Sequence, residues 1–156
     1  MIQRLGFATG GVLVGLAFAG RGTPQVAQYP YEYAAKIVCG MPNPELVSLV
    51  PQRYATTINV HNPSDSTAMF FKKVALTVPL GRQRPGKVIK IAVDTLIGDQ
   101  ALVVDCLDLQ RRLGVGPFFE GFVVLLSPMS LDVTGVCTVP GGIDVEQIHE
   151  RARVLR

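Results

Sequence analysis

The stretch Tyr54-Ala-Thr-Thr-Ile-Asn-Val-His-Asn-Pro63 decides the fold. Tyr54, Thr56, Ile58 and Val60 alternate with Ala55, Thr57, Asn59 and His61, the period-2 pattern of a strand with one buried and one wet face. Asn62-Pro63-Ser64-Asp65 follows with turn chemistry, and Met69 to Val78 reads as the returning strand of a hairpin. On that reading His61, Asn62, Pro63 and Asp65 make the hairpin turn, with the His61, Asn62 and Asp65 side chains hydrogen-bonding its backbone. A hairpin cannot bury its apolar face alone, so the flanking sequence must supply strands to cover it.

Those strands are legible on both sides. Upstream, Tyr33, Ala35, Ile37 and Cys39 share one phase of a strand over Tyr31 to Cys39, which Gly40-Met-Pro-Asn-Pro44 stops by removing ladder donors. In the returning strand, Phe70 and Lys72 share a phase with Val74, Leu76 and Val78. Either Lys72 snorkels from an apolar face or a bulge shifts the phase near Lys72-Lys73, and the bulge is the preferred reading. Further on, Lys87 to Val93 alternates with Ile89, Ile91 and Val93 inward, and Ala101 to Asp105 forms another strand. A two-turn helix follows, capped by Asp105 with Asp108 three residues on and closed by Gly114. Leu109 and Leu113 fall on one of its faces, and Asp108 and Arg112 pair at i,i+4. Phe118 to Leu126 is almost continuously apolar, the signature of a central strand covered on both faces. Leu131 to Val139 and a short segment with Ile143 and Val145 in phase complete the set, and a charged tail that reads as a frayed helix ends the chain.

Seven or eight short strands with one short crossover helix predict an all-β domain over 31–148, followed by a charged tail over 149–156. The expected architecture is a two-sheet antiparallel immunoglobulin-like sandwich, with a partly closed β-barrel as the alternative. Ahead of the domain, Met1-Ile-Gln-Arg4 gives a positive start, Leu5 to Gly20 is uncharged, and Ala17-Phe-Ala19 presents small residues at signal-peptidase positions. Residues 1–19 therefore read as a signal peptide cleaved after Ala19, and 20–30 as a flexible leader. An uncleaved anchor is the competing reading, weakened by the run's shortness and its glycines. Once the signal is cut, no membrane attachment is expected.

At 156 residues, 48% hydrophobic and 17% charged, the chain has the composition of one globular domain and not of a disordered segment. The net charge is +3, about +2 once Arg4 is removed with the signal. Its basic residues are scattered, with Lys72-Lys73, Arg82-Gln-Arg84 and Arg151-Ala-Arg153 the densest groups, and no aromatics are interleaved. That pattern excludes a nucleic-acid footprint and reads as solvated loops and ends.

Catalytic and metal sets fail on inspection. A copper site needs two histidines with a thiolate, but no histidine follows Cys106 until His149. Two histidines without Cys-x-x-Cys make no zinc set, and Gly-x-Ser-x-Gly is absent. No cofactor is expected. Paired carboxylates among Asp94, Asp99, Asp105, Asp108, Glu120, Asp132, Asp144 and Glu146 leave a small extracytoplasmic hydrolase as the alternative function. Three cysteines, Cys39, Cys106 and Cys137, allow three single pairings with one thiol over. Cys137 is in phase with Leu131 and Val133, which predicts a buried inert thiol.

The pieces Tyr33-Ala-Ala-Lys-Ile-Val-Cys-Gly40, Tyr54 to Pro63, Lys72-Lys-Val-Ala-Leu-Thr77, Val104-Asp-Cys-Leu-Asp108, Gly121-Phe-Val-Val124, Leu131-Asp-Val133 and Asp144-Val-Glu146 together resemble a family of short exported bacterial β-sandwich proteins without an assigned activity. The resemblance spans about Tyr31 to Arg151, and Ile-Asn-Val-His-Asn-Pro is its most specific part. It implies a Cys39–Cys106 disulfide and an aromatic where this chain has Cys137, which leaves Cys137 as the odd thiol. An exchange in which Cys39 pairs with Cys137 stays open. Closing the loop from Cys39 to Cys106 would stabilise by about 4 kcal/mol on the chain-entropy model. The expected function is a non-catalytic exported module, a subunit of a cell-surface assembly or a binding domain. A protein partner or self-association through exposed sheet edges, or through an added strand from the leader, goes with it.

Overall fold

The computed structural model describes residues 29–45, 49–78 and 84–153. The expected signal peptide 1–19 and the leader residues 20–28 lie outside the described residues. Nine strands and one helix follow in chain order among those described: β1 (Tyr31–Cys39), β2 (Ala55–His61), β3 (Ala68–Leu76), β4 (Val88–Leu96), β5 (Ala101–Asp105), α1 (Cys106–Leu113), β6 (Phe119–Ser127), β7 (Asp132–Val139), β8 (Gly142–Gln147) and β9 (Arg151–Ala152). They form two antiparallel sheets with no closed barrel, a five-stranded sheet in the order β4-β3-β6-β1-β9 and a four-stranded sheet in the order β5-β2-β7-β8. The architecture is the expected two-sheet sandwich. The tail, read as a frayed helix, instead supplies β9, whose Arg151 and Ala152 pair with Glu32 and Tyr31.

Each strand contributes its inward phase to one core. Tyr33, Ala35, Ile37 and Cys39 of β1 meet Ile58 and Val60 of β2, Phe70 and Val74 of β3, and Val123 and Leu125 of β6, all almost without exposure. Burial of this apolar surface is the main force holding the sheets together. Cys39 and Cys106 are joined with their Cα atoms 5.6 Å apart, stapling the larger sheet to the start of α1. The helix is built as its caps dictate. The Asp108 N–H donates to Asp105 Oδ1 at 2.8 Å, Gly114 takes the left-handed conformation at φ 60°, and Leu109 is buried.

The stretch that decides the fold takes its expected phase, with Thr56, Ile58 and Val60 buried, but it does not begin a hairpin. β2 pairs with β5 and β7, whereas β3 pairs with β4 and β6. The turn His61-Asn62-Pro63-Ser64-Asp65 is therefore an arch that carries the chain from one sheet to the other. The same turn residues suit either connection; the arch sets two apolar faces opposite each other across the core instead of side by side.

The bulge also differs from expectation. The β3–β4 register runs Lys72 to Ala92 and then Lys73 to Lys90, so Ile91 on β4 is the extra residue. β3 keeps its phase and Lys72 stays inside, 5% exposed, against Asp94. The β4 bulge reverses the phase of that strand, so Val93 points outward and is half exposed.

Candidate functional site

The outward residues of the larger sheet form an apolar face. In an antiparallel ladder, residues opposite each other share a face, so the register defines rows across the sheet. One row runs Glu32, Leu126, Phe71, Val93; the next Ala34, Val124, Lys73, Lys90; the next Lys36, Phe122, Ala75, Val88. Met69, on the same side, is 50% exposed, and Val88, Val93 and Phe122 are 64%, 50% and 39% exposed. The exposed apolar groups lie on both sides of the Lys73–Lys90 row, where Val124 is only 8% exposed. The continuous apolar run of β6 has its explanation here: its odd residues fill the core and its even residues, Phe122, Val124 and Leu126, pave this outer face.

The charges on the face are cationic at its centre. Lys73 and Lys90 stand directly opposite each other, and neither forms an ion pair among the described residues. Like charges in that position repel, a cost that a partner's carboxylates would relieve. Lys36, at the β1 side, differs: its Nζ lies 2.6 Å from Glu120 Oε2 and 5.4 Å from the centre of the Phe122 ring. Beneath the face, Asp94 Oδ2 lies against the Lys72 ammonium and takes no other partner among the described residues. Lys72 therefore does not belong to the solvated basic groups that the sequence suggested.

At the arch, the expected roles are redistributed. Asn62 is completely buried; its Nδ2 donates to the carbonyls of Ser66 (2.7 Å) and Leu96 (3.1 Å). Its Oδ1 accepts from the Ser64 N–H (3.2 Å) and hydroxyl (2.9 Å). Pro63 and Asp65 are exposed, and Ser64 performs the turn-bonding expected of Asp65. His61 does not bond the turn backbone. Its Nδ1 lies 3.2 Å from Asp132 Oδ2, the residue opposite on β7, and its Nε2 lies 3.9 Å from Asp99 Oδ1.

A second polar cluster went unread in the sequence because its members are far apart in the chain. The buried Leu131 N–H donates to the Tyr33 hydroxyl at 2.7 Å, which in turn donates to Glu150 Oε2 at 3.0 Å, where the Ser130 hydroxyl also donates at 2.6 Å. Burial pushes the Tyr33 phenol above its ordinary pKa, with Leu131 and Ser130 opposing and Glu150 adding to the shift. The carboxylates considered for catalysis do not gather at one place. Asp94 lies with Lys72, Asp99 and Asp132 flank His61, Asp105 and Asp108 cap α1, Glu120 holds Lys36, and Asp144 and Glu146 sit on β8. Among the described residues no group of three or more His, Cys, Asp or Glu is arranged to hold a metal ion.

The cysteines follow the pairing that the resemblance implies. Cys39 is bonded to Cys106 and Cys137 is free. Cys137 keeps the inward phase of β7 but is only half-buried, because it overlooks a hollow of about 220 Å³ between β1 and β8. A second hollow of about 310 Å³ continues along β1 past Ala34 and Lys36. Among the described residues no helix is long and apolar enough to cross a membrane. No family model, no curated protein and no solved structure matches the chain, so the definition of the protein rests on its own architecture, a disulfide-stapled two-sheet sandwich.

Proposed function

We propose that this protein is a non-catalytic exported module, a structural or binding subunit, that docks onto a protein partner through the outer face of its five-stranded sheet. The observation that carries the reading is the apolar face itself, with Met69, Val88, Val93 and Phe122 each exposed by more than a third around Lys73 and Lys90, which form no ion pair among the described residues. That chemistry asks for an apolar partner surface bearing carboxylates opposite the two lysines. The disulfide, and the resemblance to short exported β-sandwich proteins, support an oxidising location outside the cytoplasm, such as a cell-surface assembly. The alternative, a hydrolase using paired carboxylates, would rest on Asp99 and Asp132 beside His61 or on Asp144 and Glu146 at the hollow between β1 and β8.

The test is a photo-reactive residue placed at Phe71 or Val93 in the full chain, expressed in its native cell, with Val103 on the smaller sheet as control. The expected result is one crosslinked protein from positions 71 and 93, lost when Lys73→Glu and Lys90→Glu are combined in a variant that retains its β-sheet circular dichroism. Equal crosslinking from Val103, or none from the larger sheet, overturns the reading.

A further inference from the structure

The backbone edge of β1 is left open along a trough. In an antiparallel strand, alternate residues turn their N–H and C=O groups to opposite edges. The Pro30 carbonyl accepts from the Arg153 N–H, and the Gly40 N–H donates to the Tyr54 carbonyl, so even-numbered residues of β1 face away from β6. At one end of that edge Glu32 pairs with Arg151 of β9. At the other, the Thr56 hydroxyl stands in for a strand, accepting from the Val38 N–H at 3.0 Å and donating to its carbonyl at 3.1 Å. Between them, the N–H and C=O groups of Ala34 and Lys36 have no partner among the described residues.

The opposite wall of the trough is β8. All six of its residues are exposed, and the buried Ile148, just after β8, lines the floor of the trough. Asp144 and Glu146 turn toward the trough, and neither forms an ion pair among the described residues. β8 is itself an edge strand, and the β4 and β5 edges differ from the trough. β4 is bulged at Ile91 and carries Lys90 beside the break, two devices that blunt an edge, and none of the hollows described lies along β4 or β5.

We infer that this trough accepts an added β-strand: an extended polypeptide segment that pairs with Ala34 and Lys36 and turns a basic side chain toward Asp144 and Glu146. The free backbone groups select an extended chain, and the two unpaired carboxylates select its charge. The inference rests on the β1 edge and not on the apolar face, so either can fail without the other.

The test uses the isotopically labelled full chain and a capped peptide of alternating threonine and lysine. Controls are the same peptide with glutamate for lysine, and one N-methylated where its N–H groups would meet β1. The expected result is saturable shifts at the amides of Ala34 and Lys36. Affinity should fall at least tenfold for either control peptide and for the Asp144→Asn/Glu146→Gln variant, whose exposed positions leave the fold intact. Shifts no larger at those amides than along β4 and β5, equal binding of the acidic peptide, or undiminished binding of the N-methylated one would each overturn it. Concentration-dependent shifts at Ala34 and Lys36 without peptide would assign the trough to a second copy of this chain instead.

Discussion

Replacing Asn62 by alanine should cost about 3 kcal/mol, because the arch between the sheets hangs on one buried amide. Its Nδ2 donates to Ser66 and Leu96, and its Oδ1 accepts twice from Ser64. Ser66 is exposed, so water replaces the lost bond there; Leu96 is 4% exposed, and its carbonyl keeps only its ladder pairing with Ala68. Four hydrogen bonds at about 0.5–1.5 kcal/mol each, discounted for the exchange with water at Ser64 and Ser66, give about 3 kcal/mol. Asn62→Asp should cost at least as much, since it turns an oxygen toward two carbonyl oxygens without changing shape. Urea unfolding with the disulfide oxidised measures both, and an unchanged slope shows that the native and denatured states stay comparable. A loss below about 1 kcal/mol for Asn62→Ala, or an Asn62→Asp variant as stable as the parent, refutes the argument.

The Lys72–Asp94 pair should respond asymmetrically. Asp94→Ala strands a buried ammonium and costs about 3 kcal/mol, Lys72→Met leaves a carboxylate that is one-third exposed and costs less than about 2 kcal/mol, and the combined Lys72→Met/Asp94→Leu variant returns toward the parent in the same urea assay. Tyr33 gives a pH signature. Its raised pKa means that the unfolded state releases the phenolic proton first, so this stability is whole below about pH 10 and lost as pH rises through the folded pKa. Thermal unfolding between about pH 9 and 11 should therefore fall more steeply for the parent than for Tyr33→Phe, and parallel curves would contradict the assignment. Removing the staple with Cys39→Ala/Cys106→Ala should cost up to about 4 kcal/mol, whereas Cys137→Ser should stay within about 1 kcal/mol, both by denaturant titration.

How far the sequence could be read depends on what each signal measures. Local periodicity and capping placed β2 and α1 correctly, because Thr56-Ile58-Val60 and Asp105-Asp108-Gly114 are decided by their nearest neighbours. The arch was misread because Asn62-Pro63-Ser64 turns a chain equally well within a sheet or between sheets; sheet membership is set by β5, β6 and β7, far along the chain. The bulge signal at Lys72-Lys73 marked the right level of the sheet and the wrong strand. The inserted Ile91 lies beside Ala92, and two apolar neighbours conceal a change of phase. The apolar run of β6 did announce a strand with two paved faces, which is the outer face described above. The β1 trough had no sequence signal, since it arises where β9 stops after two residues and the Ala34 and Lys36 backbone is left without a partner among the described residues.

The most direct check on an exported, disulfide-held module is mass spectrometry of the protein recovered from its native cell and alkylated without reductant. The account predicts a chain beginning at Gly20, a linked Cys39–Cys106 peptide and a single alkylated thiol at Cys137. A chain that still begins at Met1, with all three cysteines alkylated, would contradict it.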